Sequence, residues 1–358
     1  MWLVFVGTAG TLFGGKPRVG GDFLPFYAAG RAVLAGDGPR LHLPEIQARY
    51  EQGIGASYDA DGTFLFAYPP WVAAAYAPLA AMPFAVAYVV HSLLMLFALV
   101  WGCRMLVREV GLSLSGTRIA LSALCVHPIM VAVLRGQNAV LTVLLALGVF
   151  VAIEHRRPVL AGVLAGVLCF KPQFGVPMVV YAMAGGGMRA VIGIAGTAAV
   201  EFALSAAVAG LGWIRTWIPW MLHFRLVDAE TNASHVMSLP GMVEVWLGPV
   251  VVPWLAALCF LGVLAFALHA ARHAGGRIAG WAMALTLSVV LSPHAMYYEG
   301  AIFLVPAIVL LLDAPLLVAA SGIAVSLGPL VPAAPLCAGG VLLWRLQRFR
   351  SRAAAGTA

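Results

Sequence analysis

An all-α, polytopic integral membrane bundle is the fold class this sequence predicts, and three observations predict it. Hydrophobic residues fill 62% of the 358 positions and charged residues only 10%, against about 45–50% and roughly 25% in soluble domains. Mean hydropathy is +0.96. Apolar runs of bilayer length recur from end to end, with most cations gathered in the short connections between them. These features exclude a soluble single-core domain, a disordered chain and a disulfide-stapled secreted module.

Taken in order, Met1–Phe13 is apolar but short. Thirteen helical residues cover roughly 20 Å of a hydrocarbon core about 30 Å thick. The segment lacks the basic start and small-residue cleavage site of a signal peptide, so it reads as a shortened first membrane helix. The longest polar stretch follows at 14–68, with Asp22, Asp37, Glu45, Glu51, Asp59 and Asp61 set among Lys16, Arg18, Arg31, Arg40 and Arg49. Within it Phe23–Ala35 and Pro44–Gln52 read as short surface or interfacial helices. Pro69-Pro70 restarts a helix, since proline is tolerated in a first turn where N–H groups lack partners anyway.

Hydrophobic segments then follow at about 70–82, 84–106, 117–134, 139–153, 159–170, 173–184, 190–211, 249–270, 279–291, 300–312 and 315–343. Several are too short to span alone, and the breaks at Lys171-Pro172 and Pro293 predict half-helices or re-entrant pieces. Such broken backbone is tolerated at membrane depth only where protein or a water-filled cavity covers it. With the short pieces included, about 9–12 membrane segments are expected. No fixed-period repeat or low-complexity linker divides the chain, which predicts a single membrane domain over 1–358.

The charges orient these segments. Connections carrying Arg104, Arg108, Arg118, Arg156, Arg157, Arg189, Arg272 and Arg277, with tail residues Arg345, Arg348, Arg350 and Arg352, include only Glu109, Glu154 and Asp313 as acids. By the positive-inside rule these turns and the tail at about 345–358 are cytoplasmic. The long loops at about 14–68 and 212–248 then both fall on the outer face of a bacterial-type plasma membrane. Glu201 lies within an apolar segment. No basic stripe is interleaved with aromatics, so nucleic acid is not an expected partner. Cys103, Cys125, Cys169, Cys259 and Cys337 lie in or beside apolar runs without CxxC spacing, and read as small buried hydrophobes. No metal site and no cofactor are expected.

Polar residues at helix breaks in a membrane protein are site candidates, and four clusters fall on the outer side. They are Gly20-Gly21-Asp22-Phe23 with Tyr27 and Arg31 beyond, Arg135-Gly136-Gln137-Asn138, Lys171-Pro172-Gln173, and Ser292-Pro293-His294 followed by Tyr297-Tyr298-Glu299. Each has a purely structural alternative. Asp22 could cap the helix that starts near Phe23, Arg135 could snorkel to headgroups, and His294 could be an interfacial histidine. His91 and His127 fit packed positions in apolar runs. Lys171 is harder to dismiss, because Lys16 is the only other lysine in the chain.

Together the clusters have a chemical logic. One carboxylate beside several cations suits transfer of a group away from an anionic leaving group. A departing phosphate needs cations and no proton donor, and one general base then deprotonates the acceptor hydroxyl. A glycosidase needs two facing carboxylates, so this set favours a transferase. General acid–base catalysis contributes about 10²- to 10⁴-fold in either case.

The motifs Gly21-Asp22-Phe23-x-x-Phe26-Tyr27-x-Ala29-Gly30, Phe66-x-Tyr68-Pro69-Pro70, Gly136-Gln137-Asn138, Ala161-Gly162 with Lys171-Pro172, and Leu291-Ser292-Pro293 occur in that order. The chain from about residue 20 to 310 thereby resembles glycosyltransferase family 87. These are polytopic members of the GT-C superfamily that include polyprenyl-phosphate-mannose-dependent α-1,2-mannosyltransferases. The resemblance implies a GT-C bundle with its active site at the outer face, and a polyprenyl-phosphate sugar donor. It further implies metal-independent inversion at the anomeric carbon and a catalytic Asp in the first outer loop, which maps onto Asp22. The family's late histidine-bearing segment is matched by His294, in contact with donor phosphate or acceptor. Where members carry Asn-Gln before Ser-Leu, this chain has Val236-Met237 before Ser238-Leu239, so the acceptor does not carry over.

The reading is a membrane transferase moving mannose or another hexose to a glycolipid or glycan hydroxyl outside the cytoplasm. Asp22 is the expected base, and Arg135, Gln137, Asn138, Lys171 and His294 are the expected donor phosphate and sugar contacts. Tyr27, Arg31, Tyr68, Tyr297, Tyr298 and Glu299 are candidate acceptor contacts. A transporter or lipid flippase is the alternative from another class, because broken helices with buried polar residues also mark transport paths. The absence of a repeat and the crowding of polar residues on one face count against it. An inactive structural membrane protein would leave the four clusters scattered in space.

Overall fold

A computed structural model describes residues 20–54, 64–231, 235–248, 252–273, 276–292, 294–328, 331 and 333–355. The segment read as a first membrane helix, Met1–Phe13, lies outside the described residues, as do Lys16, Arg18, Asp59, Asp61 and Pro293. Every regular element among the described residues is a helix, apart from one isolated bridge between Val236 and Met296.

The polar stretch contains α1 (Leu24–Leu34) and α2 (Pro44–Glu51), within a residue or two of the expected helices. Then come α3 (Pro70–Ala80) and α4 (Phe84–Val110). The segment expected at 117–134 is two pieces, α5 (Gly116–Ala123) and α6 (His127–Arg135), bent by 82°. Pro128 explains the break, since its ring would collide with the carbonyl four residues back and it offers no N–H. Next are α7 (Ala139–Glu154), α8 (Pro158–Val167) and the 3-10 turn Leu168–Phe170.

The two apolar segments expected at 173–184 and 190–211 are two helices that meet at Gly187, labelled together as α9 (Pro172–Ala209). Its kink is at Gly187, with φ 58° and ψ −148°, a conformation glycine adopts without penalty. The stretch expected as an outer loop at 212–248 holds α10 (Trp213–Thr231) and α11 (Leu239–Leu247). The chain continues through α12 (Val252–Arg272) and α13 (Arg277–Val290). The run at 300–312 is a 3-10 turn, Tyr297–Phe303, leading into α14 (Leu304–Val309). The run at 315–343 is divided into α15 (Pro315–Ser326) and α16 (Ala333–Ala355), across a stretch holding Pro329 and Pro332. The expected tail beyond 345 is thus the continuation of α16.

By length and composition α4, α9 and α12 can each cross a bilayer, and the bent pair α5–α6 makes up to four such spans. Around them lie shorter apolar helices, including α7, α8, α13 and α15. The protein is therefore an all-α, polytopic membrane bundle in which several elements are too short to cross singly. One continuous apolar core runs from Phe26 in α1 to Leu346 in α16. Outside that core α4 presents Val86, Val89, Leu93, Phe97 and Trp101 as an exposed stripe, with Phe97 63% exposed. So much apolar surface facing outward is expected only where lipid is the solvent.

Close packing of α8 on α9 anchors the centre. A Cβ on Gly162 would collide with the Ala190 carbonyl, and one on Gly193 with that of Val159. Small residues permit this approach between membrane helices, where dispersion rather than water exclusion provides the attraction.

The acids of the arginine-rich connections all pair locally. Glu109 at the end of α4 lies 3.1 Å from His155, and Glu154 at the end of α7 lies 3.1 Å from Arg277. Asp313 meets both Arg345 at 2.8 Å and Arg352 at 3.3 Å. The first two contacts join the ends of α4 and α7 to the start of α13, and Gly276 just before α13 lies against Arg350 in the last turns of α16.

Candidate active site

The candidate site is assembled where backbone docking replaces regular pairing. Gly20 N donates to Leu134 O at 3.0 Å, and Phe23 N donates to Arg135 O at 3.0 Å. Tyr88 Oη donates to the same Leu134 carbonyl at 2.7 Å. The loop before α1 is thereby fastened to the last turn of α6, just where those carbonyls have no helical donors left. Gly136 ends α6 with φ 79°, and a Cβ there would run into Phe23. Both constraints demand glycine. Phe23 is fully buried and packs against Tyr27, Tyr76, Phe84, Tyr88 and His91, with ring centroids 4.9–6.2 Å away.

This anchoring sets Asp22 against Arg135, with Arg135 Nη2 3.0 Å from Asp22 Oδ1. Asp22 is not the helix cap: α1 begins at Leu24 without a side-chain capping bond. The Arg135 head does not reach outward as a snorkelling side chain would. Its Nη1 donates to Tyr297 Oη at 2.8 Å. Planar donors in a fixed fork suit such double engagement.

The second pair is Lys171 and Glu299. Lys171 Nζ donates to Glu299 Oε1 at 2.6 Å, and both side chains are 4% exposed. Lys171 sits between the 3-10 turn Leu168–Phe170 and the start of α9, where Pro172 takes a first-turn position. Its ammonium also lies 5.7 Å from the centre of the Tyr298 ring. Tyr297, Tyr298 and Glu299 begin one 3-10 turn, so three consecutive residues reach Arg135 and Lys171. Three of the four clusters thus converge on this turn, and the fourth joins through Asp22.

Gln137 and Asn138 are buried beside Gly136. Tyr76 and His91 pack on one another and on Phe23 beside this turn, with ring centroids 4.9–6.2 Å apart. Arg135 Nε, Gln137 Oε1, Asn138 Oδ1 and Glu299 Oε2 are buried with no hydrogen-bond partner among the described residues. Buried polar atoms are rarely left without partners, and four of them around two ion pairs mark a place suited to a polar ligand.

Other expected contacts sit differently. Tyr27 Oη donates to Met82 O at 2.8 Å, so it ties α1 to the turn after α3. Arg31 is exposed on α1. Tyr68 packs between Phe26, Phe66 and Phe170 with centroids 5.0–6.1 Å away, beside the Lys171 turn. The segment carrying Tyr68 is held by α10, where Trp217 Nε1 donates to Ala67 O and Trp220 Nε1 to Phe66 O. The His294 backbone is bracketed by the Ser292 hydroxyl, which donates to His294 O at 2.6 Å and accepts from His294 N at 3.1 Å.

Two histidines at the site escape sequence reasoning. His127 stacks on Tyr297 with centroids 5.7 Å apart, and His235 lies 5.2 Å from the same ring. His127 reads from sequence as a packed residue in an apolar run. His235 belongs to a segment drawn in by the Val236–Met296 bridge and by Met237 N donating to Ala295 O at 2.9 Å. That long-range contact leaves no local pattern.

Behind the Tyr297–Phe303 turn lies a cavity of about 600 Å³ between α5, α6, α14 and α15. Its walls are mainly apolar, including Ile129, Phe303, Ile308 and Val325, and Arg118 and Ser122 also contribute. Among the described residues no group of three or more His, Cys, Asp or Glu side chains could hold a metal ion.

Comparison with known proteins gives one match. The sequence profile of glycosyltransferase family 87 matches residues 66–293. That range contains Arg135, Gln137, Asn138 and Lys171, begins after Asp22 and ends at the residue before His294. No curated protein and no solved structure matches the chain. With the helical membrane bundle, the match over more than half the chain establishes what it is: a membrane glycosyltransferase belonging to glycosyltransferase family 87.

Proposed function

We propose that the protein transfers a sugar, mannose or another hexose, from a polyprenyl-phosphate donor to a hydroxyl of a glycolipid or glycan on the extracytoplasmic face of the plasma membrane. The observation that carries the reading is the ion pair of Asp22 with Arg135, which places one carboxylate beside a guanidinium. In the transfer, Asp22 takes the proton of the acceptor hydroxyl and the acceptor oxygen attacks the anomeric carbon. The bond from that carbon to the phosphate oxygen breaks, and the lipid phosphate leaves with the electron pair. Attack opposite the leaving group inverts the anomeric centre.

Arg135 neutralises the departing phosphate, with His127 and His235 beside its Tyr297 partner. Gln137 Oε1 and Asn138 Oδ1 offer acceptors for sugar hydroxyls. Oriented donors at the place where charge develops are the largest catalytic contribution in such sites. The apolar cavity behind the Tyr297–Phe303 turn suits the isoprenoid tail of the carrier. The gathering of Glu109 with His155, and of Glu154 and Asp313 with their arginines, supports a cytoplasmic assignment for the face that carries them, with the C-terminus on the same side. The whole chain, 1–358, serves as one transferase domain.

The test is transfer by protein in proteoliposomes, offered radiolabelled polyprenyl-phosphate hexoses and, separately, nucleotide hexoses with membrane glycolipid extract. Label moving to glycolipid only from the lipid-linked donors is the expected result. Transfer from a nucleotide sugar without any lipid carrier would overturn the donor assignment.

A further inference from the structure

The two ion pairs of the site are built differently. Lys171 and Glu299 are sealed in at 2.6 Å with 4% exposure each, whereas the Arg135 and Asp22 side chains retain 20% and 10% exposure. Arg135 also keeps one edge uncommitted, because Nη1 goes to Tyr297 and Nη2 to Asp22, while Nε has no hydrogen-bond partner among the described residues. The backbone around it is clamped through Leu134 O and Arg135 O, so its head can change partner without moving the loop that carries Asp22.

A carboxylate paired with a guanidinium is held in its charged form and is a poorer proton acceptor for that reason. A guanidinium favours a phosphate, to which it can present two parallel donors. We propose that the donor's phosphate and Asp22 compete for Arg135. Seating the donor draws the guanidinium from Asp22 and releases the carboxylate to act as base, so that the donor must bind before the acceptor can react. Tyr297 serves as the pivot, since its hydroxyl keeps Nη1 while Nη2 and Nε turn to the phosphate. This exchange rests on the reading of Asp22 as base and of the donor as a lipid phosphate.

Competition makes a counterintuitive demand: removing the charge of the base must tighten binding of the lipid phosphate. The experiment measures the affinity of polyprenyl phosphate, without sugar, for the full-length protein in nanodiscs. Asp22→Asn is expected to bind it about tenfold more tightly than the unmodified protein, equivalent to about 1.4 kcal/mol. Arg135→Gln is expected to bind at least tenfold more weakly, and adding Asp22→Asn to it should then change affinity less than about twofold. Asp22→Ser, of smaller volume, repeats the first measurement should the Asn variant fail to fold by thermal unfolding.

Affinity left unchanged or weakened in Asp22→Asn would overturn the exchange. Equal tightening with and without Arg135 would also overturn it, since Asp22 would then merely repel phosphate at a distance. The base assignment fails by a different readout, full transfer activity of Asp22→Asn, so the two ideas are separable.

Discussion

Arg135 Nη1 lies 2.8 Å from the hydroxyl of Tyr297, a residue 162 positions later in the chain, while Nη2 holds Asp22. One guanidinium therefore joins the loop before α1, the end of α6 and the 3-10 turn after α13. Lysine presents a point charge and cannot span both partners in that geometry. Arg135→Lys is expected to lower kcat/KM for the lipid donor by at least tenfold. Tyr297→Phe, which removes only the acceptor of Nη1, should cost less than Arg135→Lys. Steady-state kinetics of the two variants checks this order.

Lys171 and Glu299 form a buried pair whose separate members cannot be removed safely. Loss of one partner leaves an isolated charge in an apolar setting, a change that costs about 3–5 kcal/mol. Lys171→Met or Glu299→Leu alone should lower the midpoint of thermal unfolding strongly. The double variant should recover most of that loss, because two apolar residues can replace a buried ion pair at little net cost. Thermal unfolding of the four proteins in one detergent closes the cycle.

The Phe23–Gly136 contact is a packing constraint. Gly136→Ala must place a methyl group against Phe23 and adopt a φ of 79°. A strained left-handed backbone alone costs of order 1 kcal/mol or more. The variant should be less stable and, because the same loop carries Asp22, less active at temperatures where it remains folded. Gly36, also at positive φ but with open space around its Cβ position, is the control. Gly36→Ala should show the backbone penalty without the loss of activity.

Glu51, on α2 outside the membrane segments, predicts a pH dependence. Burial pushes its carboxyl up to about 8, although Phe64 N donates to Oε2 at 2.9 Å and acts in the opposite sense. The folded chain thus holds a proton that the unfolded chain has released above its ordinary value of 4.5. Stability consequently falls as pH rises through that window and levels off above about 8. Glu51→Gln keeps an oxygen for Phe64 N and carries no charge. It should match the unmodified protein near pH 5 and melt a few degrees higher at pH 8. Thermal unfolding at the two pH values measures the gap.

Much of this architecture was legible because lipid solvation and helical periodicity act locally. Leu24–Leu34, Pro44–Glu51 and Pro70–Ala80 fall where polarity, proline and apolar runs predict them. The split at Pro128 and the division between α15 and α16 follow equally local backbone rules, applied to runs that look continuous in hydropathy. The helix α10 was hidden because Trp217 and Trp220 meet partners far away, the carbonyls of Ala67 and Phe66. At the site, Asp22, Arg135 and Lys171 stood out as rare charges in an apolar chain. Their pairing could not be read, since Arg135–Tyr297 and Lys171–Glu299 each join distant segments. Tyr27, a motif residue read as a candidate acceptor contact, spends its hydroxyl on the Met82 carbonyl, a tie the local sequence does not show.

Asp22 as the base that deprotonates the acceptor is the centre of the account, and one variant tests it most directly. The measurement is turnover of a polyprenyl-phosphate hexose by Asp22→Asn in proteoliposomes, beside the unmodified protein, with folding of both verified by thermal unfolding. General-base catalysis is worth about 10²- to 10⁴-fold, so the account predicts a loss of kcat of at least 10²-fold with the fold intact. A folded Asp22→Asn protein that transfers sugar at the unmodified rate would contradict it.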